Sequence, residues 1–157
     1  MGVEQLWSLD NPVFKAFISY GMVVVLKTMA MTVLTIRQRI AHQAFVNPED
    51  TASMKDKEGG RLKVTAHDAV ERVRRCHLND LENVIPFFLI GLLYVSTSPD
   101  LSTALLHFRV FTGARLFHSV AYLLPLPQPS RALGFFAGYV TTLSMAYRAI
   151  AATGFFF

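Results

Sequence analysis

Four apolar stretches, each near the length of a bilayer-crossing helix, constrain this chain more than any other feature. They run from about Val13 to Ile36, Val73 to Val95, Thr103 to Leu124 and Ala132 to Ala152. A helix needs roughly 20 largely apolar residues to cross the hydrocarbon core. Backbone amides find no water there, so only helices and closed barrels are tolerated. These stretches are too long, and too lacking in strict alternation, to be barrel strands. The expected fold is an all-α membrane protein, a four-helix transmembrane bundle in which residues 1–157 form a single domain.

The connections are unequal. The loop from about 37 to 72 is long and charged, with Pro48 and the pair Gly59-Gly60. Ser96 to Ser102 is a tight turn, with Ser102 expected to cap the third helix. Pro125 to Ser130 reads PLPQPS and cannot continue a helix. Short turns make consecutive helices antiparallel neighbours. Arginine and lysine crowd the long loop and are absent from the N-terminal arm and the 96–102 turn. The positive-inside rule therefore places the long loop and the 125–130 turn in the cytosol, with both termini on the far side. The same distribution accounts for the formal charge of +4 without a nucleic-acid partner. Met1 to Pro12 contains Glu4 and Asp10 and no basic residue, so an uncleaved signal-anchor is expected rather than a cleaved leader. The single cysteine, Cys76, excludes an internal disulfide and a cysteine-built zinc site.

Charged residues inside the apolar stretches carry the functional information. Each costs at least ~2.5–3.5 kcal/mol at a helix centre and needs a reason to be there. The second stretch holds Arg72, Arg74, Arg75, His77, Asn79, Asp80 and Glu82; the third holds His107, Arg109, Arg115 and His118. Arg75, Asn79 and Glu82 share one helical face by their spacing, as do Arg115, His118 and Tyr122. Arg39 ends the first helix and Arg131 opens the fourth. In the expected topology Arg39, the start of the second helix, Tyr122 and Arg131 converge toward the cytosolic side.

A structural role, fixing the register of the bundle, suits Asp80, Arg109 and Arg115. Lys15 and Lys27 can snorkel or face a subunit contact, and once the anion-binding subset is set apart Lys27 reads with Asp80, Arg109 and Arg115 as part of the polar framework. Arg39, Arg74, Arg75 and Arg131 have too few carboxylates near them, which points to an anionic ligand. Two carboxylates and one ammonium would match the arginines and Glu82. A phosphate ligand is disfavoured by Glu82 and by the lack of a glycine-rich phosphate loop. His107 and His118 lie eleven residues apart and do not form a two-histidine metal face, so no metal is expected. Gly134 and Gly138 form a small-xxx-small pair that marks a helix contact.

Three runs carry a resemblance. FVNPED (Phe45 to Asp50), VERVRRCHLNDLENVIPF (Val70 to Phe87) and HFRVFTGARLFHSVAYLLPLPQP (His107 to Pro129) resemble the family of membrane-associated proteins in eicosanoid and glutathione metabolism. The resemblance covers about Val13 to Arg148. It implies a homotrimer of four-helix subunits, with glutathione as co-substrate bound between adjacent subunits near the cytosolic face. By motif, it implies glutathione contacts at Arg39, Arg74, Arg75, His77, Asn79, Glu82, Tyr122 and Arg131, with Arg131 facing the sulfur as the catalytic residue. It also implies transfer of glutathione to hydrophobic electrophiles dissolved in the bilayer, glutathione-dependent reduction of lipid hydroperoxides, and residence in the endoplasmic reticulum or the outer mitochondrial membrane. The C-terminal GFFF carries no readable retention signal to decide between them.

Three departures bear on that reading. Thr51 stands where a member of the family carries a cysteine after the NPED run, so activation by thiol modification of the loop is not expected. Leu78 and Ala132 stand where the prostaglandin-forming branch carries an arginine and a serine, and Phe135 where it carries a tyrosine. The alternatives are a prostaglandin- or leukotriene-forming glutathione enzyme, a non-enzymatic lipid-binding or lipid-presenting scaffold of the same family, and a purely structural or channel-like bundle.

Overall fold

The structure is a computed structural model, and it describes residues 3–55 and 59–155. Residues 56–58 of the charged loop, the first two residues of the arm and the last two of the GFFF tail lie outside the described residues. Among the described residues six helices follow in order: α1 (Val3–Leu6), α2 (Pro12–His42), α3 (Pro48–Thr51), α4 (Asp68–Ser96), α5 (Leu101–Leu123) and α6 (Ser130–Ala152). The four long ones pack on each other, α4 touching each of α2, α5 and α6.

The helix ends follow local chemistry. Pro12 opens α2, and Asn11 Oδ1 accepts from Val13 N at 3.0 Å. At its other end α2 runs past the apolar stretch through Arg37 and Arg39 to His42. Basic side chains favour a helix C-terminus, and a solvated turn needs no apolar residues. Gln43 closes it in the left-handed conformation, φ 50°. Likewise α4 starts at Asp68, ahead of its apolar run, with Asp68 and Glu71 in its first turn and His67 Nδ1 accepting from Ala69 N at 3.2 Å. Ser102, the expected cap of α5, lies inside that helix. Asp100 caps it instead, accepting from Thr103 N at 3.0 Å, because a carboxylate answers the positive helix end better than a hydroxyl. The Ser102 hydroxyl, then the Thr103 amide, hold the Asp100 carboxyl below the usual carboxylate range.

Large apolar side chains lie on the outside of the bundle. Met22, Leu26 and Met29 on α2, Leu93 on α4, Leu106 on α5 and Phe136 and Leu143 on α6 are exposed, whereas Asp80 and Arg115 are fully buried. An exposed apolar surface of that extent marks contact with a membrane or with another protein. Among the described residues two helices, α2 and α4, are long and apolar enough to cross a membrane by length and composition, with mean hydropathy 1.7 and 1.4.

Aromatic packing and a polar knot hold the helices. Phe17, Phe87, Phe108 and Phe111 are buried together, with Phe87 and Phe111 stacked at 3.8 Å. Close crossings rest on glycine. A Cβ on Gly91 would lie 2.3 Å from Phe17 Cε2, and one on Gly134 would lie 3.0 Å from the backbone of His118. Gly138 faces Arg115 and Phe111, so the Gly134/Gly138 pair does mark a helix contact, between α6 and α5.

In the polar knot, Asp80 Oδ1 accepts from Lys27 Nζ and, at 2.6 Å, from Arg115 Nη2. One carboxylate thus ties α2, α4 and α5. Lys27 does belong to the polar framework rather than snorkelling: its side chain is only 8% exposed and is turned inward by Asp80. Arg109 Nε reaches the Tyr20 hydroxyl at 3.0 Å, a second polar link from α5 to α2.

Candidate functional site

The eight residues singled out in the sequence fall in two open grooves and on the outer face of α4. The first groove, about 360 Å³, lies between α2 and α4 and is lined by Thr32, Thr35, Arg39, Arg74 and His77, with Leu78 and Leu81 on its apolar wall. The Arg39 Nε is buried and unpartnered among the described residues. Arg74 donates from Nη1 to Glu71 Oε1 at 2.6 Å. Glu71 therefore neutralises one of the four cations that had been expected to lack a carboxylate. That pair is exposed and weak, and it can exchange for another carboxylate at little cost.

The second groove, about 260 Å³, is lined by Asn79, His118, Tyr122, Gln128, Arg131, Ala132, Phe135 and Phe136. The Arg131 guanidinium carbon sits 5.0 Å from the centroid of the Tyr122 ring. A cation held over an aromatic face is oriented without losing its charge. The Arg131 Nε is buried with no partner among the described residues, so the donor is not spent within the fold. Tyr122 is in turn packed 5.6 Å from the His118 ring.

The floor of this groove is tied to the polar knot. Arg115 Nη2 donates to Asn79 Oδ1 at 2.9 Å and lies 3.3 Å from His118 Nδ1. A guanidinium has no acceptor, so Asn79 must turn its carbonyl toward Arg115. Its amide NH₂ is left as the group available to the groove. The two grooves share no lining residue, and α4 supplies both, through Arg74 and His77 on one side and Asn79 on the other. Arg75 and Glu82 are exposed and line neither groove.

Sequence reasoning passed over Thr32, Thr35 and Gln128. The two threonines had a readable signal, because Thr32, Thr35 and Arg39 repeat at i, i+3, i+7 on one face of α2. Gln128 had none, since it sits in the proline-rich turn. Among the described residues no cluster of histidine, cysteine or carboxylate side chains has the grouping to hold a metal ion. Thr51 is buried, its hydroxyl donating to Pro48 O at 3.0 Å. Cys76 is wholly buried against Ser119.

Comparison with known proteins agrees with the three sequence runs. The MAPEG family model matches residues 17–151. The chain is 56% identical over 140 residues to a microsomal glutathione S-transferase 1 of Mus musculus and 54% identical to that of Homo sapiens, covering 89% of this chain and 90% of each relative. It is 36% identical over 150 residues to a prostaglandin E synthase of Equus caballus, covering 96% of this chain and 95% of that one. With most of its length matched by the family model and by full-length relatives, the chain belongs to the MAPEG family.

Proposed function

We propose that this chain is a membrane-bound glutathione transferase that binds glutathione, stabilises its thiolate beside Arg131 and joins the sulfur to hydrophobic electrophiles. The observation that carries this reading is the Arg131 guanidinium, fixed over Tyr122 with an uncommitted buried Nε and Asn79 beside it in the same groove. Relatives at 54–56% identity that are named glutathione transferases support it.

A free thiol has a pKa near ~8.5, and only its thiolate is a strong nucleophile. Lowering that value by ~2 units requires about 2.7 kcal/mol of preferential thiolate stabilisation. One guanidinium in a partly dry groove is of the right size to supply it. The thiolate attacks the electrophilic carbon, a C–S bond forms, and the leaving group departs with its electron pair. With a lipid hydroperoxide, two glutathione molecules supply the two electrons, giving the alcohol, water and glutathione disulfide. In this reading Arg39, Arg74, Arg75, His77 and Asn79 hold the carboxylates and amides of glutathione, and Glu82 takes its ammonium.

All four long helices cross the bilayer in this reading, as a single domain. Both α5 and α6, at 23 residues each, are long enough for a core of about 30 Å. The disjoint grooves give a reason for the trimer. A site that needs both Arg39 and Arg131 is completed when the α2–α4 groove of one subunit meets the Arg131 groove of its neighbour. Membrane residence follows, in the endoplasmic reticulum or the outer mitochondrial membrane. Leu78 and Ala132, the departures from the prostaglandin-forming branch, stand in the walls of the two grooves, which favours transfer over prostaglandin synthesis.

The test is conjugation of glutathione to chlorodinitrobenzene by the purified protein in detergent. Conjugate should form well above the uncatalysed rate. Intact glutathione binding with no acceleration would refute the transferase reading.

A further inference from the structure

At the end of the bundle away from Arg131 lies a second polar recess, about 470 Å³, between the end of α4, the start of α5 and the last turns of α6. Seventeen residues of α6 separate Arg131 from Arg148, about 25 Å along the helix axis. Two opposite charges line this recess, Asp100 and Arg148. They form no ion pair with each other, and Arg148 has no hydrogen-bond or ion-pair partner among the described residues. The capping bonds from Thr103 N and from the Ser102 and Thr103 hydroxyls fall on Asp100 Oδ2. Directly beside it, and sharing Thr97, runs an apolar groove of about 410 Å³ walled by Leu93, Ala149 and Ile150.

We infer that this pair of cavities seats one zwitterionic phospholipid, its phosphate on Arg148, its ammonium beside Asp100 and an acyl chain in the α4–α6 groove. Charge complementarity selects the headgroup. A guanidinium is a fork for phosphate oxygens, and a separate carboxylate across the recess is matched by a cation covalently tethered to that phosphate. A purely anionic lipid would satisfy Arg148 and be repelled by Asp100. The adjoining apolar groove selects a lipid over a free soluble zwitterion, because only a lipid brings an acyl chain to fill it. The depth is right as well, since the recess lies at helix ends, where headgroups meet the hydrocarbon edge.

Native mass spectrometry of the delipidated full chain in detergent tests this with three probes: dioleoylphosphatidylethanolamine, dioleoylphosphatidylglycerol and chain-free glycerophosphoethanolamine. The wild type should bind the ethanolamine lipid at least about fivefold tighter than the glycerol lipid, and the chain-free headgroup should not displace it. Asp100→Asn, which keeps a capping side chain, should erase that preference. Arg148→Gln should weaken both lipids by roughly tenfold, with Arg148→Lys recovering most of the loss. Neither residue lines the Arg131 groove, so conjugation activity of all three variants should stay at the wild-type level and report a correct fold. Equal binding of the two lipids by the wild type, a preference that survives Asp100→Asn, or displacement by the chain-free headgroup at matching concentration would each overturn the assignment.

Discussion

Asp80→Asn probes the polar knot most sharply. The carboxylate is fully buried and takes bonds from two cations, Lys27 and Arg115, whose side chains are 8% and 0% exposed. Breaking a buried pair by removing one partner typically costs 3–5 kcal/mol, roughly, because the surviving charge is left in low dielectric. Here two cations are left, so the upper end applies: about 5 kcal/mol, or between three and four decades in the folded-to-unfolded ratio. Adding Lys27→Met should return at least about half of that loss, because the double variant restores the net buried charge of the wild type. The assay is equilibrium unfolding of the purified protein in mixed micelles of rising SDS fraction. A loss below about 1 kcal/mol for Asp80→Asn, or a double variant no more stable than the single, would refute the claim that one carboxylate holds α2, α4 and α5 together.

Other outcomes follow from the grooves and crossings. Gly91→Ala places a Cβ against the Phe17 ring and should destabilise by about 1–3 kcal/mol in the same assay, whereas Gly113→Ala, with nothing within 4 Å, should be neutral or better. Tyr122→Phe keeps the ring under Arg131 and should retain most conjugation activity, while Tyr122→Ala should lose roughly tenfold as the guanidinium is released; equal loss in both would mean the hydroxyl, not the ring, matters. Cys76, wholly buried, should label with maleimide only after unfolding, and pretreatment of the native protein should leave activity unchanged; activation would contradict the reading of Thr51. Co-expressing Arg39→Ala with Arg131→Ala subunits should restore activity, about one site in four in random trimers, because an intact site then draws one arginine from each of two subunits. No recovery would place both arginines in one subunit's site.

The charged residues of the helices stand out in the sequence because their cost in an apolar stretch is visible without a structure. Arg39, Asn79, Tyr122 and Arg131 do line grooves between helices, but the face of α4 read from the spacing of Arg75, Asn79 and Glu82 is divided, since only Asn79 reaches a groove. The partner of Lys27 was not legible: Asp80 is 53 residues away, and periodicity within one helix says nothing about which neighbour it faces. Nor could the sequence divide the charges between two grooves, since that depends on how α4 is rotated against α2 and α6. The helix ends were misplaced toward the apolar runs, as at Ser102, because hydropathy marks where lipid stops and not where backbone hydrogen bonding stops. Asp100 was a readable cap all the same, a carboxylate three residues ahead of the Thr103 amide it accepts from.

Thiolate formation in the Arg131 groove is tested most directly by ultraviolet difference absorbance on mixing the purified protein with glutathione at neutral pH. Wild type should develop the thiolate band near pH 7, about two units below the free thiol, and Arg131→Ala should bind glutathione within a few fold of wild type yet show the band only at alkaline pH. An undiminished band in Arg131→Ala, or no band in a wild-type protein that binds glutathione, would contradict the assignment of Arg131 to the sulfur.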